Sequence, residues 1–159
     1  LLLGWIFRRI GKKHALFSVD LHDDRTQFTN KWLERAGLSD IVFAHTSDSS
    51  SKYLVNRARD YFETSNSPQT IFIDSSHEYR HTKSEYTLWK DALIPGGFMF
   101  YHDVSTYATE FDHNNGGPVQ KALLDVEWDD MLLINRTVKA LQKPAVYRDG
   151  CGLGIIQKN

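Results

Sequence analysis

Apolar residues come along this chain in short runs, and between the runs they fall three or four apart among charges. Runs of that length read as buried strands, and the wider spacing reads as helices that face a core along one side. Residues 15–20 (ALFSVD), 41–44 (IVFA), 70–74 (TIFID) and 98–101 (FMFY) are the strand-like runs. Residues 1–10 read as the buried end of a helix closed by Gly11. Phe28, Trp32, Leu33 and Ala36 stripe a second helix that stops at Gly37. Tyr53, Leu54, Arg57, Ala58, Tyr61 and Phe62 stripe a third, opening near Ser51, and Tyr86, Trp89 and Leu93 a fourth. The tryptophans Trp5, Trp32, Trp89 and Trp128 fall on these patterns and are expected in the core.

Strand and helix therefore alternate with short connections, as expected of βα crossover units in a parallel sheet with helices on both faces. The end of the chain differs. Pro118 opens a helix carrying Val119, Ala122, Leu123 and Val126, and the runs at 131–134 and 153–156 have no helical stripe between them. These two runs are expected to pair antiparallel at one edge of the sheet. A polar stretch at 105–117, STYATEFDHNNGG, is long enough to serve as a lid or substrate loop. The whole chain, 159 residues, is expected to form one domain over residues 1–159.

Composition narrows the partners. A net charge of -1 and a pI near 6.7 give no basic footprint for nucleic acid or an anionic membrane. The single cysteine, Cys151, excludes an internal disulfide framework and fits a reducing compartment, so a cytoplasmic location is expected. It sits between two glycines with no base close by in sequence, and no catalytic thiol is expected. The opening LLLGWIFRRIGKK is too short to span a bilayer, which takes about 20 apolar residues. The chain starts at Leu1 rather than methionine, as a piece of a longer protein would.

The candidate chemistry lies in residues 70–104, where two strands each end in acid and histidine. Ligands of open α/β sheets collect outside the carboxyl ends of the strands, so Asp74, His77, His102 and Asp103 are expected to face one crevice. Asp74 and Asp103 suit a hard divalent ion such as magnesium, and His102 extends the set toward manganese, iron or zinc. Equally, Asp74 can cap the next helix and Asp103 can turn the loop. His77, whose imidazole titrates near neutral pH, is the candidate general base. His77-Glu78-x-x-His81 also spells the zinc hydrolase string, although polar neighbours surround it and its first histidine falls at a strand-to-helix junction. Asp20 lies beside Asp23 and Asp24 and can be an acidic helix start, while Asp48 in its serine-rich turn can be a simple cap.

Taken together, IFIDSSHEY, LIPGGFMFYHD and a tail with Trp128 and GLGII resemble the class I S-adenosylmethionine-dependent methyltransferases, in the branch that methylates small-molecule hydroxyls. The resemblance implies a Rossmann-like α/β fold, a mostly parallel sheet with an antiparallel C-terminal strand pair. It implies that Asp20 takes the ribose of S-adenosylmethionine and Asp48 lies near the adenine. His77 would be the base, with Asp74, His102 and Asp103 holding the small-molecule substrate or a divalent metal. The family's first strand and its acid-then-Gly-x-Gly turn do not occur in these residues, so the strands ending at Asp20 and Asp74 are expected to flank a vacant slot. Direct pairing of those strands, a second copy in a homo-oligomer, or a longer natural protein would each answer it. A non-catalytic remnant that binds a ligand through the same crevice is the alternative reading.

Overall fold

The computed structural model describes residues 1–62, 67–104, 119–126, 130–134 and 152–159. The expected substrate loop, Pro118, Trp128 and Cys151 lie outside the described residues. The chain divides into two compact units, Leu1–Ser67 and Pro68–Asn159.

The first unit runs α1 (Leu2–Arg9), β1 (Leu16–Asp20), α2 (Asp23–Arg35), β2 (Val42–Thr46) and α3 (Lys52–Tyr61). β1 and β2 pair in parallel, with Leu16 beside Val42 and Asp20 beside Thr46. Side chains alternate across a strand, so the two faces of this pair receive different helices. Leu16, Val42 and Ala44 join Leu33, Leu38 and Ile41 on the α2 side. On the other face the rings of Phe17 and Phe43 each lie 5.7 Å from that of Tyr61 in α3. The Tyr61 hydroxyl donates to the Ile41 carbonyl at 2.8 Å, and burial, aided by the Asp40 carboxylate, raises its pKa.

α1 and α2 do not bury the residues expected of them. In α1 only Gly4 is buried, and a Cβ there would lie 2.9 Å from Val42 and 3.1 Å from Leu38. The helix comes down on the sheet at its one residue without a side chain, which leaves Leu2, Leu3, Trp5 and Ile6 exposed. In α2 the buried residues are Thr26 and Leu33, while Phe28 is 64% and Trp32 42% exposed. Those two rings meet each other edge-on at 6.2 Å, and the Arg35 guanidinium lies over Trp32. In α3, Val55 rather than Tyr53 joins Leu54 and Ala58 inside. Of the described tryptophans, Trp89 alone is core.

The second unit contains β3 (Thr70–Ile73), α4 (Tyr79–Ala92), β4 (Phe98–His102), α5 (Val119–Leu124), β5 (Asp130–Ile134) and β6 (Leu153–Gln157). Its strand order is β3-β4-β6-β5, parallel between β3 and β4 and antiparallel for the rest, as expected of the closing pair. Ile73, Met99, Tyr101 and Ile156 are buried on one face, whereas Phe72 and Phe98, on the alternate positions, are exposed. α4 buries Thr82, Glu85, Tyr86, Trp89 and Ala92, and α5 buries Val119, Ala122 and Leu123. The Tyr79 hydroxyl donates to Asp125 at 2.8 Å, tying α4 to the end of α5.

The turn into β4 is tight. Gly96 has φ +75°, a region glycine enters without steric cost. A Cβ on Gly97 would lie within 2.9 Å of the Gln69 and Ile94 carbonyl oxygens. Among the described residues β1 pairs with β2 and β3 pairs with β4. No described helix is long and apolar enough to cross a membrane.

Candidate active site at the ends of β3 and β4

β3 and β4 run side by side with Ile73 opposite Tyr101, so their carboxyl ends are level. Asp74 follows β3 directly, His102 is the last residue of β4, and Asp103 comes next. Asp103 takes φ +62°, a left-handed conformation that Asp and Asn tolerate better than other side chains. This turn sends its carboxylate inward, where it is buried.

The four residues expected to share a crevice do so. His77 Nε2 lies 2.7 Å from Asp103 Oδ2, and His102 Nδ1 lies 3.0 Å from the same oxygen. His102 Nδ1 is also 3.5 Å from Asp74 Oδ1. One ligand atom each from Asp74, His102 and Asp103 falls within 4.8 Å of the others, the only such group among the described residues. Two carboxylate oxygens and an imidazole nitrogen, with open solvent beside exposed Asp74, fit a divalent ion that keeps waters in its shell. These residues line a shallow, open hollow together with Ser75, Ser76, Thr82, Tyr101 and Val119.

The zinc hydrolase string does not assemble. α4 begins at Tyr79, so His77 lies in the loop before it and only His81 lies on the helix. His77 turns to Asp103, whereas His81 Nε2 lies 3.3 Å from Glu85 Oε1, one turn further along α4. Asp74, one of the expected ligands, does not cap α4, whose N-cap residue is Glu78.

Glu85 and Ser75 were not expected at the site. Glu85 is 1% exposed, and its Oε2 accepts the Ser75 hydroxyl at 2.8 Å. A signal existed: Glu85 falls on the same helical face as Thr82 and Trp89, where a charge is out of place. Beside it, the Tyr101 hydroxyl is buried with no hydrogen-bond partner among the described residues. Burial first, then the Glu85 carboxylate and Tyr86, push its pKa well up.

In the first unit, Asp20 ends β1 with its side chain partly exposed, Oδ1 accepting the His22 amide at 2.8 Å and Oδ2 3.8 Å from Arg25. It thus keeps acceptor capacity at the carboxyl end of a parallel strand, as a ribose partner needs. Asp48 Oδ1 accepts both the amide and the hydroxyl of Ser50, at 2.8 Å and 2.7 Å, and so serves its own turn. Asp23, rather than Asp48, receives the Thr46 hydroxyl at the end of β2.

A family model for a methyltransferase domain matches residues 2–104, from α1 through Asp103 and Val104 just after β4. The chain belongs to that methyltransferase family. The solved structures bear out the class I, Rossmann-like fold. An O-methyltransferase from Bacillus cereus, solved in complex with SAH, superposes with a TM-score of 0.60 at 13% identity, over 91% of this chain and 63% of its own. An rRNA methylase from Streptococcus thermophilus gives 0.55 at 11% identity, over 91% and 73%. The MycE methyltransferase of the mycinamycin biosynthetic pathway, solved with Mg and SAH, gives 0.50 at 14% identity, over 91% and 37%. No curated protein sequence matches the chain.

Proposed function

We propose that this methyltransferase domain transfers a methyl group from S-adenosylmethionine to a hydroxyl of a small molecule, with His77 as the general base. The observation that carries the reading is the pairing of His77 Nε2 with buried Asp103 Oδ2 at 2.7 Å, at the mouth of the hollow. In this reading the neutral imidazole directs Nε2–H toward Asp103 and keeps its lone pair on Nδ1, which takes the acceptor's hydroxyl proton as the oxygen–methyl bond forms and the sulfur–methyl bond breaks, releasing S-adenosylhomocysteine. Asp103 then stabilises the imidazolium so produced. S-adenosylmethionine, when bound, supplies the electrophilic methyl group, and Asp20 is the residue of the first unit suited to its ribose. A divalent ion such as magnesium would be held by Asp74, His102 and Asp103 and would lower the pKa of the acceptor hydroxyl.

The near-neutral charge supports a small-molecule acceptor over nucleic acid or a membrane surface, and the lone cysteine supports a cytoplasmic setting. The presence of Mg and SAH with MycE supports the same pair of groups here. Titration calorimetry with S-adenosylhomocysteine, with and without Mn²⁺, tests the reading, followed by radiolabelled methyl transfer to a panel of phenols and sugars. Heat on titration and labelled ether products are expected. A folded sample giving no heat at millimolar ligand would discard the enzyme reading for this chain.

A further inference from the structure

Two acids are buried among the described residues, Asp103 and Glu85. Asp103 belongs to the site; Glu85 lies in the middle of α4 and is not given a role by the methyl-transfer reading. An apolar side chain of similar volume would fill its place without desolvating a charge. Its contacts are specific instead. One oxygen takes the Ser75 hydroxyl at 2.8 Å, and the other lies 3.3 Å from His81 Nε2, so the carboxylate is held at both ends.

Ser75 occupies the loop between β3 and α4, directly after Asp74 and two residues before His77. Among the described residues, Ser75, Ser76 and His77 make no backbone–backbone hydrogen bond of a turn or cap. The shape of the loop therefore rests on side chains: Ser75 on Glu85, the Ser76 hydroxyl accepting the Glu78 amide at 3.2 Å, and His77 on Asp103. Only the first of these reaches from the loop into the body of α4. The second histidine of the zinc-like string thereby acquires a purpose, because His81 orients the carboxylate that anchors the loop.

We propose that Glu85 is a positioning residue, whose buried carboxylate, steadied by His81, grips Ser75 and so sets the placement of Asp74 and His77. The assignment rests on the methyl-transfer reading for its purpose, and its test does not depend on turnover. The probes are the ¹⁵N signals of the His77 imidazole, which report its tautomer and its bond to Asp103, and the affinity for Mn²⁺ measured by electron paramagnetic resonance. Ser75→Ala removes the gripped hydroxyl at a small residue of the loop, and Ser75→Thr retains it.

Ser75→Ala is expected to move the His77 signals and to weaken Mn²⁺ binding about tenfold, at the low end of what outer partners of a metal site contribute. Ser75→Thr is expected to restore both. Glu85→Gln, which offers one oxygen to two donors, is expected to give a smaller change in the same direction, and it carries the test if Ser75→Ala does not fold. His77 signals and Mn²⁺ affinity equal to wild type in folded Ser75→Ala or Glu85→Gln would overturn the proposal. Absence of Mn²⁺ binding by the wild-type chain would count against the metal reading alone, since the His77 signals need no ion.

Discussion

Asp103 meets His77 through a single oxygen, Oδ2 against Nε2 at 2.7 Å, and that oxygen also lies 3.0 Å from His102. One carboxylate atom thus lies against both imidazoles of the site. The proposed base and the proposed metal-site histidine both lie against the same residue, so changes at Asp103 are expected to reach both.

For the proposed base, His77→Gln is expected to lower kcat by about 10²- to 10⁴-fold, the usual contribution of a positioned general base. S-adenosylhomocysteine affinity should be unchanged in calorimetry. A loss of binding in step with the loss of rate would place His77 in cofactor binding instead.

At Asp103 the backbone and the charge can be separated. Asp103→Asn keeps a residue tolerant of φ +62° and should unfold at nearly the wild-type urea concentration while losing most of its activity. Asp103→Ala loses the activity too and is expected to be less stable by a further 1 kcal/mol or so, because alanine is disfavoured in that conformation. Paired urea titrations and rate measurements distinguish them.

Asp74 is the exposed member of the ligand set, so its replacement should spare the fold. Asp74→Asn is expected to weaken Mn²⁺ binding by roughly 10- to 100-fold or more, since even outer partners of a metal site can contribute that much. Electron paramagnetic resonance titration reads it directly.

Tyr101 predicts an alkaline limit. Its pKa is raised in the folded chain from an ordinary 10.0, so its contribution is complete below pH 10 and is lost as pH climbs toward the raised folded value. Over that span the unfolded chain releases a proton that the folded chain keeps, and stability falls by up to about 1.4 kcal/mol per pH unit. Urea unfolding at pH 9 and pH 11 should show the decline, and Tyr101→Phe should lessen it, leaving the part due to Tyr61, whose pKa is also raised. The same variant should be as stable as wild type at neutral pH, because the hydroxyl has no hydrogen-bond partner among the described residues.

The turn before β4 gives a purely structural check. Gly97→Ala sets a Cβ within 2.9 Å of two carbonyl oxygens and 2.8 Å of Leu93, and should cost about 1–3 kcal/mol in urea unfolding. A stable variant would mean that the turn opens readily.

Much of this molecule is legible in its sequence because charge changes abruptly where strands end. Ile73 then Asp74, and Tyr101 then His102-Asp103, mark the carboxyl ends of β3 and β4, and parallel pairing brings them level. The residues at 131–134 and 153–156 also paired as their pattern implied. Helix faces were harder to read. Phe28 and Trp32 recur with a helical period, yet the period does not say which side meets the sheet, and Thr26 and Leu33 took that side. The string around His77 and His81 was discounted for its polar neighbours and its place at a strand-to-helix junction, and the structure agrees. Two histidines four apart share a face only if both are helical, and His77 precedes the helix. Glu85 was visible only as a charge on an apolar stripe, and its bond to Ser75 depends on a loop path that spacing cannot give.

Lys158 gives β6 a reach beyond its own ladder. Its ammonium donates to the Lys90 and Leu93 carbonyls at 2.8 Å and 2.7 Å, closing the helix that carries Glu85, while its backbone holds Gly96 and Gly97 ahead of β4. Leu153, at the other end of β6, stands beside His102. The strand therefore acts as a strut between the rear of α4 and the front of the site, and trimming a few residues there would loosen chemistry that none of them touches.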